Sequence, residues 1–121
     1  MNAEIIAIGS ELLTPFFQDT NSLYLTEKLN QIGVSVDFKS VVGDNLEQLT
    51  SVIRTATWRA DIVICMGGLG PTEDDLTREC VAAALGREIH RDSEIIAELY
   101  KRFAARRRAM PPNNEKQADV V

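Results

Sequence analysis

In this 121-residue chain a buried-strand pattern, Asp61-Ile62-Val63-Ile64-Cys65-Met66, runs straight into Gly67-Gly68-Leu69-Gly70-Pro71-Thr72-Glu73-Asp74-Asp75. A helical pattern follows from Leu76 to Leu85 and is stopped by Gly86. A short, almost continuous apolar run is covered on both faces, and strands of that kind belong to parallel sheets flanked by helices. The same alternation is repeated upstream. Glu4-Ile5-Ile6-Ala7-Ile8-Gly9 reads as a first strand, and Leu25, Leu29 and Ile32 space a helix over about 21–32 that ends at Gly33. Val34, Val36 and Phe38 alternate along a second strand, and Leu46, Leu49, Ile53 and Ala56 space a second helix ending near Trp58. A fourth helix is expected over about 93–108, before Pro111-Pro112. Parallel neighbours need crossover connections, so the fold class is α/β: a three-layer αβα sandwich with a mostly parallel sheet. It forms one domain over residues 1–121. Residues 113–121 run toward a further strand, and three clear sheet strands are few for this class, so the domain reads as truncated.

Glycine after a buried strand brings bare backbone to the carboxyl end of the sheet, where open α/β folds bind ligands. Exposed amides there, together with the positive end of the following helix, favour phosphate. Thr72 and Thr77 are candidate hydroxyl donors to it. The acidic run Glu73-Asp74-Asp75 has two physical readings: a cap and dipole partner for the helix, or the holder of a divalent cation that bridges to phosphate. Three carboxylates beside a phosphate cradle repel the ligand unless a cation intervenes, which favours the metal.

Charge is divided unevenly along the chain. Residues 1–100 carry seven Lys/Arg against sixteen Asp/Glu, whereas residues 101–121 carry six against two. A negative body argues against a nucleic-acid surface, so a polyanionic ligand must be held locally. No apolar run reaches the roughly 18–20 residues that span a bilayer, and the N-terminus has no basic segment ahead of an apolar core, so a cytoplasmic protein without membrane contact is expected. Cys65 and Cys80 lack CxxC or histidine company and read as buried free thiols. His90, just past Gly86, reads as a surface residue and not as a general base. Trp58 is expected to pack, and Phe16-Phe17 to fill the core or a subunit contact. Lys101, Arg102, Arg106, Arg107 and Arg108 crowd the end of the fourth helix, where they complement its dipole or, alternatively, reach a phosphate.

The run Gly67-Gly68-Leu69-Gly70-Pro71-Thr72-Glu73-Asp74-Asp75-Leu76-Thr77 resembles the GG-x-GPT-x-DD-x-T signature of molybdopterin-binding domains, and in particular the N-terminal domain of the competence/damage-inducible CinA family. Ile8 through Leu13, Asp19-Thr20-Asn21, Val42 through Asn45, and Met110-Pro111 through Ala118 are similar to that family's other blocks, in order. The resemblance implies a nucleotide or pterin phosphate ligand, a divalent metal cation as cofactor and a homodimer. It also implies an activity: metal-dependent hydrolysis of the pyrophosphate of ADP-ribose or a similar nucleoside diphosphate. A non-catalytic binding module and a molybdopterin adenylyltransferase-like activity are the alternatives. Carried onto this chain, the ligand loop maps to Gly67, Gly68, Gly70 and Thr72, with Ser10, Glu11, Asp74 and Thr77 alongside. The catalytic and metal-holding carboxylates map to Asp44 and Asp75. The family's domain continues past the Lys-Gln-Ala block, and a separate deamidase-like domain follows it in full-length members.

Overall fold

A computed structural model describes all 121 residues. The sheet has three parallel strands, β1 (Asn2–Ile8), β2 (Ser35–Val42) and β3 (Ile62–Met66), in the order β2-β1-β3. β1 is therefore central, and its burial matches its apolar run: Ala3 through Ile8 are all buried. α1 (Asn21–Gln31) crosses from β1 to β2, α2 (Leu46–Arg59) from β2 to β3, and α3 (Thr77–Leu85) leaves β3.

Alternate β1 residues feed two cores. Ile6 and Ile8 pack with Leu49, Ile53 and Ala56 of α2 and Cys80 of α3, while Ala3 and Ile5 pack with Leu25 and Leu29 of α1 and with Val34. Helices thus cover both faces, giving the three layers expected. Helix ends follow local chemistry: Asn45 caps α2 by accepting from the Gln48 amide at 2.9 Å, and Gly33 and Gly86 close α1 and α3 with φ of 80° and 63°.

Four features depart from the sequence reading. The register of β1 on β2 slips between Ala3 and Glu4, so Ala3 faces Val36 but Glu4 faces Phe38. This bulge at Asp37 turns Phe38 to the side opposite Val36, where its ring lies 3.7 Å from the Arg59 guanidinium. Second, α4 (Ser93–Ala105) stops three residues short of the expected end, because Arg107 turns left-handed (φ 54°) and the Arg108 amide returns to the Phe103 carbonyl. Third, residues 112–118 form a 3-10 helix, and Asp119–Val120 (β5) pairs antiparallel with His90–Arg91 (β4) instead of joining the main sheet. Fourth, Trp58 and Phe16 are not packed in a core: they are 87% and 89% exposed, and Phe17 is exposed too. His90 is exposed as expected, Cys80 is buried and Cys65 is half-buried. No helix is long and apolar enough to cross a membrane.

Candidate functional site

Strand order puts the switch point of the sheet between β1 and β3, since α1 leaves β1 on one face and α3 leaves β3 on the other. Ligand crevices of open α/β sheets form there, outside the carboxyl ends of the strands. A cleft of about 170 Å³ occupies that place, lined by Ile8, Glu11, Gln18, Asp19, Asn21 and Gly67 among others. A wider, open groove of about 620 Å³ lies along the outer edge of β2, but Glu47 is its only charged lining residue. The polar groups gather at the smaller cleft.

The glycine loop is shaped by close approach. A Cβ on Gly67 would stand 2.2 Å from the Ile8 carbonyl oxygen, and one on Gly68 would stand 2.2 Å from Thr77 Oγ1. Both glycines also have positive φ, 95° and 64°. The amides of Gly67, Gly68 and Leu69 donate to no backbone carbonyl, so this turn offers N–H groups at the strand ends. Thr77 corrects one expectation. Its hydroxyl donates to the Gly67 carbonyl at 2.6 Å, and its amide to the Gly68 carbonyl at 3.2 Å. The proton is spent on holding the loop, and Thr77 itself is buried.

Thr72 and Asp75 form a second fastening. Asp75 Oδ2 accepts from the Thr72 amide at 3.0 Å and from its hydroxyl at 2.7 Å. A Cβ on Gly70 would lie 2.6 Å from the same oxygen. The Thr72 hydroxyl, helped by the Thr72 and Gly70 amides and the Lys116 ammonium, holds the Asp75 carboxyl below the usual aspartate range against the opposing effect of burial. Asp75 does not cap α3, which starts two residues later with no side-chain cap at Leu76. Asp74 is exposed on the rim.

On the β1 and β2 side, Ser10 and Asp44 exchange hydrogen bonds. The Ser10 amide donates to Asp44 Oδ2 at 3.2 Å, and the Asp44 amide donates to Ser10 Oγ at 3.0 Å. Glu11 folds back over Gly9, whose Cβ would lie 2.6 Å from its carboxylate. The predicted residues therefore collect along one sheet end but as separate fastenings. Asp44 belongs to the Ser10 loop and Asp75 to the Thr72 loop, and no group of three or more His, Cys, Asp or Glu is placed to hold a metal. The donors are all oxygen, which suits a hard cation, yet they are too few to enclose one. Such a cation would need ligand phosphate oxygens to complete its shell, as Mg²⁺ commonly does.

Several participants escaped the sequence reading of the site. Gln18, Asp19, Thr20 and Asn21 line the cleft; the last three stood out in the sequence only as helix caps and a family block, and Gln18 not at all. Lys116 fastens the loop from the far end of the chain, with its ammonium on the carbonyls of Thr72 (2.9 Å) and Asp75 and 3.1 Å from Glu79 Oε1. Arg78 holds the Leu69 carbonyl at 3.0 Å. The signal for Lys116 was the Lys-Gln-Ala block; its partners could not be read from it.

Residues 4–118 match the family model described as "Probable molybdopterin binding domain". A CinA-like protein of Koribacter versatilis is 66% identical over the whole of this chain, and one of Solibacter usitatus is 54% identical over the same length. The chain spans 29% of the length of each of these relatives. Among solved structures, a CinA protein of Thermoplasma acidophilum superposes with a TM-score of 0.89 at 32% identity, covering 98% of this chain and 69% of that one. The molybdopterin biosynthesis enzyme MoaB of Thermus thermophilus gives 0.61 at 25% identity, over 65% of this chain and 51% of that one. With the glycine loop, its fastenings and the sheet order all in place, the chain belongs to the CinA family and carries that family's molybdopterin-binding-type domain.

Proposed function

We propose that this domain binds a phosphate-bearing pterin or nucleotide across the carboxyl ends of β1 and β3. The observation that carries this reading is the set of Gly67, Gly68 and Leu69 amides with no backbone acceptor, beside a cleft at the switch point of the sheet. Those amides are the donors for phosphate oxygens. Thr77, Arg78 and Lys116 keep the loop in shape, so the donors are pre-oriented before the ligand arrives. Gln18 and Asn21 supply amide side chains for the organic portion.

A second reading is hydrolysis of the pyrophosphate of ADP-ribose or a similar nucleoside diphosphate. It is favoured by the ionised Asp75 carboxylate at the loop and by Asp44 across the same sheet end. These two residues would hold a divalent cation shared with the diphosphate, and the cation would neutralise phosphate charge and lower the pKa of an attacking water. Asp75 keeps Thr72 and the loop amides aimed, which is a positioning role that needs no metal. Titration calorimetry with ADP-ribose, followed by an assay of AMP release with and without divalent cations, tests both readings. Binding that a Gly68→Ala variant loses supports the first reading, and no binding at millimolar ligand would refute it. Cation-dependent AMP release lost in both Asp75→Asn and Asp44→Asn supports the second; binding without release leaves a binding module. Sedimentation of the same sample reads the homodimer that the family resemblance implies.

A further inference from the structure

We propose that the cleft between the end of α4 and the 3-10 helix Pro112–Ala118 is a second anion site, which takes a small phosphate-bearing ligand independently of the glycine loop. The cleft measures about 350 Å³ and is lined by Arg102, Phe103, Arg106, Arg108, Asn114 and Gln117 among others. That volume lies within the range of small-molecule sites, about 300–1,000 Å³.

Three guanidinium groups at one cleft repel each other, and no carboxylate lines the cleft to offset them. Arg106 and Arg108 make no ion pair, and Arg102 is paired only with Glu98, one turn away on the exposed helix surface at 3.1 Å. An exposed pair of that kind is weak, so the guanidinium is readily drawn to a better acceptor. The backbone arranges the other two. Because Arg107 is left-handed, the chain folds over the end of α4, and Arg106 and Arg108 line the same cleft although they are two residues apart. Planar guanidinium forks match phosphate oxygens in pairs.

The opposite wall is equally specific. Residues three apart share a face in a 3-10 helix, so Asn114 and Gln117 face the arginines while Asn113 and Lys116 face the glycine loop and its neighbours. The same helix thus separates two sites. Asn114 Nδ2 donates to Gln117 Oε1 at 2.9 Å, which fixes both amides and leaves the Gln117 amide nitrogen free to donate. Phe103 offers an apolar surface beside the arginines. Charge along the chain agrees, since the net positive segment, residues 101–121, is the one that builds this cleft on an otherwise negative body.

The probe is inorganic pyrophosphate, followed by nitrogen-15 NMR of arginine Nε–H and side-chain amide signals. The expected result is movement of the Arg106, Arg108 and Gln117 signals. In the double variant R106A/R108A the Kd read from the Gln117 side-chain amide, the reporter that remains, rises at least tenfold, with backbone signals of the sheet unchanged. Thr72→Ala, which disturbs the glycine loop, leaves the cleft signals moving as before. Shifts confined to residues 67–72, or a Kd unaltered in R106A/R108A, would overturn the proposal. The Arg106→Lys, Arg108→Lys pair separates charge from shape: binding kept in full would remove the role given to the guanidinium forks.

Discussion

Gly67 and Gly68 show how much a single absent Cβ decides. Each has a positive φ, and each lies so close to a neighbour that a side chain must displace it: the Ile8 carbonyl at Gly67 and the Thr77 hydroxyl at Gly68. Alanine at Gly68 meets Thr77 Oγ1, the atom that closes the loop onto Gly67, so strain and the lost fastening add. Left-handed backbone alone costs a residue with a Cβ roughly 1–2 kcal/mol. Gly68→Ala is expected to lower unfolding free energy by about 2 kcal/mol in urea, and Gly33→Ala, where nothing lies within 4 Å, by less. Equal losses at the two positions would mean that contact with Thr77 contributes nothing. At this scale the sequence showed that the glycines matter but not which atom excludes a side chain, because Ile8 and Thr77 come from different elements.

Among the elements, the end of α4 was the boundary least open to reading. Ala104-Ala105-Arg106-Arg107-Arg108 has neither glycine nor asparagine to mark a stop, and five helix-favouring residues extend the pattern. The observed closure uses Arg107 in the left-handed position that glycine normally fills. Arg107→Gly is therefore expected to raise stability by about 1 kcal/mol, measured as a higher urea midpoint at unchanged slope. A lower midpoint would show that the arginine compensates its backbone cost through its side chain. The β2 bulge was equally hidden. Val34, Val36 and Phe38 alternate as one face would, but the extra residue, Asp37, is held by Asn2 Nδ2 at 2.9 Å, and that partner lies in another strand. α2 was legible almost throughout, since its buried Leu49, Ile53 and Ala56 repeat with helical spacing and Asn45 caps it.

Glu4 ties three elements of the whole molecule together. It sits on β1 with no exposed surface; its carboxylate accepts from Arg59 Nε and Nη2, each at 2.8 Å, at the end of α2, and from Ser40 Oγ on β2 at 3.1 Å. The Arg59 guanidinium holds the Glu4 carboxyl below its ordinary value of 4.5, overcoming the upward push of burial. A lowered folded-state pKa means that this contribution is complete above pH 4.5 and is lost as pH falls through the folded value. Urea unfolding should therefore weaken in acid. Asp75 and Asp119, also held low by their partners, add to the same trend. The Glu4→Gln variant is expected to be less stable at neutral pH and to lose less on going from pH 7 to pH 3. An acid limb as steep as that of the parent would remove Glu4 from the cause.

Local rules operating within about ten residues, such as apolar period, caps and glycine stops, were enough to define the alternation of strands and helices, the glycine loop and the parallel fold class. Tertiary structure decided what those rules do not reach. It made the Thr77 hydroxyl a fastening instead of a ligand donor, brought Lys116 onto the loop from more than forty residues away, and set Arg59 on Glu4. It also placed Asp44 and Asp75 on separate loops. The physical reason is common to all of these: hydrogen-bond and ion-pair partners are set by where the crossovers bring distant strand ends together, and side-chain identity along the chain does not encode that distance.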